Sequence, residues 1–147
     1  MLIRQARVAE QHELERLQWR ASLNNPGDRD VLLEHPDAIT VPIEQIAIGS
    51  VFVAEWYGEL VGFAAVVLRD DCGAELDALF VEPRAWNREI GRALVNHCTI
   101  VSRARGATFL HVIGNPHAEG FYLACGFELI GTTETRFGPG FSMQRAL

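Results

Sequence analysis

Three stretches of the sequence hold residue types that can do chemistry. The first is Asn115-Pro-His-Ala118-Glu-Gly-Phe121-Tyr122-Leu-Ala-Cys-Gly126-Phe127, where Tyr122 carries a phenol with an ordinary pKa near ~10. Such a group can hand a proton to a departing anion. The same ring beside Phe121 can equally be part of a core. Asn115 offers an amide to a neighbour, or a cap to the turn that Pro116 opens. In the second stretch, Glu75 and Asp77 alternate along Ala74 to Val81, which puts two carboxylates on one face of a strand. A general base and a carboxylate satisfied by an arginine are both open readings there. The third stretch, Trp86-Asn-Arg-Glu-Ile-Gly91, leads into a helix. A helix start offers unsatisfied N–H donors and a positive dipole end, so such a loop suits an anion, with Arg88 able to add a charge-assisted contact.

The remaining reactive residue types point nowhere in particular. His111 lies in a strand and reads as a hydrogen-bonded structural residue. His117 falls at a helix start, and His12, His35 and His97 carry no motif. Cys72, Cys98 and Cys125 cannot all pair with one another, and no CxxC or Cys/His spacing suggests a metal. Trp19, Trp56 and Phe63 read as core or cleft wall.

The elements that must hold these residues follow from periodicity. Leu2 to Ala6 reads as a strand, and Ala9 to Ser22 as a helix by the spacing of Leu14 and Leu17. Asn24 to Asp28 breaks the chain, and Asp28 is placed to cap a short helix around Val31 to Leu33. One helical turn is expected near Ile43 to Ile48. Val51 to Trp56, Leu60 to Leu68 and Ala74 to Val81 are strands of an antiparallel meander, joined through Tyr57-Gly58-Glu59 and Arg69 to Gly73. Asn87 to Arg105 is the strongest helix, with Ile90, Leu94, Cys98 and Val101 on one face and Gly106 as its stop. Thr108 to Ile113 is a strand reached through that helix, hence parallel to the one before it. His117 to Cys125 is a short helix. Phe127 to Gly131 and Phe141 to Arg145 close the chain as strands around Gly138-Pro139-Gly140. The order β-α-α-β-β-β-α-β-α-β-β predicts an α/β fold: one mixed, mostly antiparallel sheet of six to seven strands with helices on both faces, within a single domain over residues 1–147.

This order and two of the motifs resemble the GNAT superfamily of acetyl-CoA-dependent N-acetyltransferases. Asn115 to Phe127 matches the family pattern N-x-x-A-x-x-F-Y-x-x-x-G-F at every fixed position. The resemblance implies that Tyr122 is the general acid toward the leaving thiolate and that Asn115 lies near the pantetheine arm. It implies that Leu79, Phe80 and Val81 run along pantetheine, and that Trp86, Asn87, Arg88, Glu89, Ile90, Gly91 and Arg92 form the pyrophosphate loop. Glu75 stands where some members place a general-base glutamate. The family builds its acceptor site from the first two helices, which points to Arg20 and to the segment from Asp28 to Glu34. The loop departs from the family's R/Q-x-x-G-x-G/A pattern. Trp86 replaces Arg or Gln, Asn87 replaces another common glycine, Glu89 occupies the first motif glycine, and only Gly91 remains.

Composition narrows the partners. The 147 residues carry 13 basic and 19 acidic side chains, a net charge of −6, which gives no attraction to nucleic acid or anionic membrane. The apolar fraction of 48% is that of a globular chain. Met1 to Gln5 lacks the apolar stretch of a signal peptide, and the longest apolar run, Leu60 to Leu68, is far short of the ~20 residues that span a bilayer. A cytoplasmic protein, monomeric or homodimeric, is expected. No G-x-G-x-x-G follows the first strand, which argues against a dinucleotide fold. The resemblance implies transfer of acetyl from acetyl-CoA to a primary amine. The alternative is a binding or regulatory module of the same fold that has lost the cofactor.

Overall fold

The computed structural model describes residues 1–147. Seven strands form one sheet: β1 (Leu2–Gln5), β2 (Val51–Trp56), β3 (Glu59–Leu68), β4 (Ala74–Val81), β5 (Phe109–Gly114), β6 (Glu128–Thr135) and β7 (Gly138–Ala146). Their spatial order is β1-β2-β3-β4-β5-β7-β6. All neighbours are antiparallel except β4 and β5, which run parallel because the helix α4 (Ile90–Ala104) connects them. The other helices are α1 (Gln11–Leu23), α2 (Arg29–Glu34), α3 (Ile43–Ala47) and α5 (Glu119–Ala124), with short 3₁₀ turns at Val8–Glu10, Pro36–Ala38, Pro83–Ala85 and Pro116–Ala118.

The sheet separates two cores. Leu76, Leu110, Val112 and Met143 pack with Ile90, Leu94, Val95 and Cys98 of α4 and with Tyr122 and Phe127. On the opposite face Leu14 and Leu17 of α1 and Ile46 of α3 meet Val51, Val53, Phe63 and Ala65. α4 ends as the sequence predicts. Gly106 adopts φ +88, its N–H reaches the Arg103 carbonyl, and the Ala107 N–H reaches that of Ser102, the double bond of a glycine-terminated helix.

A bulge in β4 sets up everything that follows. Ala65 pairs with Ala78 but the next residue, Val66, pairs with Leu76, so Asp77 is an extra residue against β3. Without it Leu76, Ala78 and Phe80 share a face. With it Leu79 and Val81 join Leu76 on the α4 side, and Ala78 and Phe80 turn to the α1 side. Beyond Ala74↔Leu110 and Glu75↔His111 the two parallel strands no longer pair, and a cleft opens between them.

Three expectations are corrected. α4 starts at Ile90 rather than Asn87, because Asn87 (φ 65) and Glu89 (φ 64) are left-handed and cannot join a right-handed helix. The last hairpin turns at Arg136 and Phe137, with Thr135↔Gly138 as its closing pair, so Gly138, Pro139 and Gly140 lie in β7 instead of the turn. Pro139 is tolerated because β5 ends opposite Phe141, leaving no partner on that side for its missing N–H. Asp28 precedes α2 but makes no side-chain cap.

Candidate active site

A cavity of about 600 Å³ fills the opening between β4 and β5. Leu79, Phe80 and Val81 line one wall, the loop from Trp86 to Arg92 lies at one end, and Asn115 and Tyr122 lie opposite. Of the residues the sequence singles out, Leu79, Phe80, Val81, Trp86, Asn87, Glu89, Ile90, Gly91, Arg92, Asn115 and Tyr122 border this one space.

Arg88 and Glu75 do not. The Arg88 guanidinium lies 5.7 Å from the Trp56 ring centroid, a cation–π contact directed away from the cleft. Glu75 is held where β4 and β5 still pair. Its Oε1 accepts from Arg69 Nη1 at 3.0 Å and meets His111 Nδ1 at 2.7 Å, while His111 Nε2 meets Ser142 Oγ. The expected alternation of Glu75 with Asp77 fails because the bulge interrupts it. Asp77 reaches the cleft rim, where it accepts from Gln45 Nε2 at 3.1 Å. His111 is thus the hydrogen-bonded residue that its strand position suggests.

The loop ahead of α4 keeps a glycine-like backbone without the glycines. Asn87 and Glu89 both sit in the left-handed region, which costs an ordinary residue roughly 1–2 kcal/mol and Asn less. Strain of that kind persists only where surrounding structure imposes it. The first intrahelical bond is Ala93 N–H to the Glu89 carbonyl, which leaves the N–H groups of Ile90, Gly91 and Arg92 without helical acceptors at the cleft. The Glu89 side chain is 76% exposed and lies 3.7 Å from Arg92, so its carboxylate points outward. A methyl group on Gly91 would sit 3.2 Å from the Phe121 ring, so the small residue lets α4 and α5 meet closely. Trp86 takes over one backbone acceptor: its indole N–H donates to the Val81 carbonyl at 2.8 Å.

Tyr122 is 8% exposed. Burial raises its pKa well above the ordinary phenol value, with further contributions from Cys125 and Asp28, so it is held as a proton donor. Asn115 takes the capping role. Its Oδ1 caps the Pro116–Ala118 turn by accepting from the His117 N–H at 2.9 Å, and its side-chain amide lies at the cleft. The Cys125 thiol also lines the cleft and is raised by burial, which outweighs the opposing Arg92 and Arg145 charges. It stays a neutral thiol rather than a nucleophilic thiolate.

Sequence reasoning missed two features. Arg20 binds Glu82 through two bonds, Nε to Oε1 at 2.7 Å and Nη2 to Oε2 at 2.8 Å, clamping α1 to the segment after β4. It does not border the cleft. Asp28 instead turns to Asn115, whose Nδ2 donates to its Oδ1 at 3.0 Å. A contact between residues this far apart in sequence leaves no local signal.

A splayed β4–β5 cleft beside a helix N-terminus, with a buried tyrosine opposite, defines a mixed-sheet transferase fold. The sequence profile described as the Acetyltransferase (GNAT) family matches residues 8–127, and the chain belongs to this family, whose acyl donor is acetyl-CoA. Among solved structures, a ribosomal-protein-alanine N-acetyltransferase from Brucella melitensis is 24% identical with a TM-score of 0.75, covering 100% of both chains. A GCN5-related N-acetyltransferase from Rhodopseudomonas palustris has a TM-score of 0.78 at 19% identity over 99% of this chain and 95% of that one. The PaiA N-acetyltransferase of Thermoplasma acidophilum, solved with coenzyme A, has a TM-score of 0.76 at 17% identity over 99% and 98%. These likenesses establish the fold. No curated protein matches the sequence. No helix is long and apolar enough to cross a membrane.

Proposed function

We propose that residues 1–147 act as one catalytic domain that moves acetyl from acetyl-CoA directly to a primary amine of a small molecule or peptide. The observation that carries this reading is the left-handed backbone at Asn87 and Glu89. It keeps the free N–H groups of Ile90, Gly91 and Arg92 at the cleft although two of the family's glycines are gone. The residues fit the donor. The edge of Leu79 to Val81 has no strand partner on the β5 side and, apart from the Val81 carbonyl held by Trp86, can hydrogen-bond an extended amide arm, while the α4 N-terminus suits a pyrophosphate.

In this reading Tyr122 donates to the sulfur as the thioester breaks, and Asn115 holds the arm. Glu75, bound to Arg69 and His111, takes no direct part. Positioning two reactants in one cleft supplies roughly 7–11 kcal/mol without a covalent intermediate. The Trp86 bond to the Val81 carbonyl is the one feature that favours the alternative of a cofactor-free module.

The test is release of free CoA thiol from acetyl-CoA on addition of primary amines, with the acetylated amine identified by mass. The chain contains no lysine, so acetylation of its own side-chain amines does not confound the count. Amine-dependent thiol release supports the reading. Its absence across a broad amine panel overturns it.

A further inference from the structure

The end of β4 carries a contact that the cleft does not need for its shape. The Glu82 N–H donates to the Val61 carbonyl at 2.8 Å, so the residue after β4 still turns its backbone toward β3. Successive residues of a strand aim their N–H and C=O groups alternately to its two sides, which turns those of Val81 toward β5 and the cleft. The pairing of β5 with β4 ends at Glu75↔His111, so the Val81 carbonyl has no strand partner there. It has a side-chain partner instead, the Trp86 indole N–H at 2.8 Å. Both residues line the cleft.

The backbone of Trp86 is fixed while its ring is not. The 3₁₀ turn Pro83–Ala85 folds the chain back on the strand end, with the Ala85 N–H on the Glu82 carbonyl at 2.8 Å and the Trp86 N–H on that of Pro83 at 3.2 Å. Ala85 is buried, and the Glu82 carboxylate is bound by Arg20. Trp86 itself is 40% exposed. Rotation about its side-chain bonds, with the turn unmoved, carries the indole off the carbonyl into solvent, where water satisfies its N–H.

Resting on the transferase reading above, we propose that Trp86 closes the donor site in the free protein. Its indole N–H holds the carbonyl that an amide N–H of the pantetheine arm would take, and the ring turns out to solvent before acetyl-CoA seats. Seating the arm then exchanges one N–H···O=C bond for another, and gains less than it would at a carbonyl without a partner. The apparent affinity is reduced by the fraction of molecules in which the ring has swung away. A hydrogen bond of ordinary net strength keeps that fraction at roughly a tenth to a third.

The test is calorimetric titration of acetyl-CoA into the wild-type protein and into Trp86→Phe, which keeps a ring on the cleft wall and removes the donor. Trp86→Phe is expected to bind about 3- to 10-fold more tightly. Equal binding overturns the closure, and so does weaker binding, which would make the indole a wall that the donor needs. A second readout is the indole N–H spectrum of the ¹⁵N-labelled protein. The chain has three tryptophans, and the signal missing from Trp86→Phe is that of Trp86. At saturating acetyl-CoA that proton is expected to exchange with water as fast as an open indole does, and one that stays protected contradicts the swing. Absence of heat with both proteins removes the transferase reading itself, whereas binding without a difference between them leaves that reading in place and overturns only the closure.

Discussion

Glu89 is held in a left-handed backbone with no side-chain cap on α4 to compensate, an arrangement that local propensity opposes. Glycine adopts that conformation freely, and its greater unfolded-state entropy offsets only part of the gain. Glu89→Gly should therefore stabilise the protein by about 1 kcal/mol in urea unfolding while acetyl-CoA binds at least as tightly. Asn87→Gly should do less, because Asn tolerates this region better. At Tyr122, Phe keeps the packing against Phe121 and Phe127 and removes only the hydroxyl. Tyr122→Phe should lower kcat by about 10²–10⁴-fold with little change in acetyl-CoA affinity, as measured by thiol release and calorimetry. Asp28 makes a pH prediction. Its folded pKa lies above the unfolded value near ~3.9, so its contribution to stability is full below that value and is lost as pH rises through the folded pKa. Asp28→Asn should then be more stable than wild type at neutral pH, with the gap closing below about pH 4 in thermal melts.

At the scale of elements, the bulge at Asp77 and the clamp between Arg20 and Glu82 shape the cleft. Glu82 is 5% exposed and both its oxygens face Arg20. Arg20→Ala strands that carboxylate and should destabilise the fold by about 1–3 kcal/mol in denaturant titration. Glu82→Gln in the same background should recover part of the loss. Most elements were legible because their apolar spacing is regular: the meander of β2 to β4, the Ile90-Leu94-Cys98-Val101 face of α4, and the Gly106 stop. The Asn115 to Phe127 motif likewise brought Asn115 and Tyr122 to one cleft. Glu75 was misplaced for a physical reason. A strand pattern assumes strict alternation, and one extra residue at Asp77 changes which side chains share a face. The bond between Asp28 and Asn115 was invisible because it joins the α1–α2 segment to the end of β5, and only the folded sheet brings those together.

At the scale of the molecule, two cores on either face of one sheet leave a gap where β4 and β5 part, and the proposed donor site occupies that gap. The α4 side supplies the helix start, Tyr122 and the free strand edge. The α1 side supplies Asp28, which borders the same gap. Binding of acetyl-CoA at the altered loop is the claim on which the rest depends, and calorimetric titration combined with thermal unfolding tests it most directly. At 100 times Kd a ligand that binds only the folded state adds about 2.7 kcal/mol. For a chain of this length that raises the midpoint by roughly 5–10 °C. A saturable heat and a shift of that size, both reduced by Asn115→Ala, are the predicted result. No heat and no shift at millimolar acetyl-CoA would contradict the account.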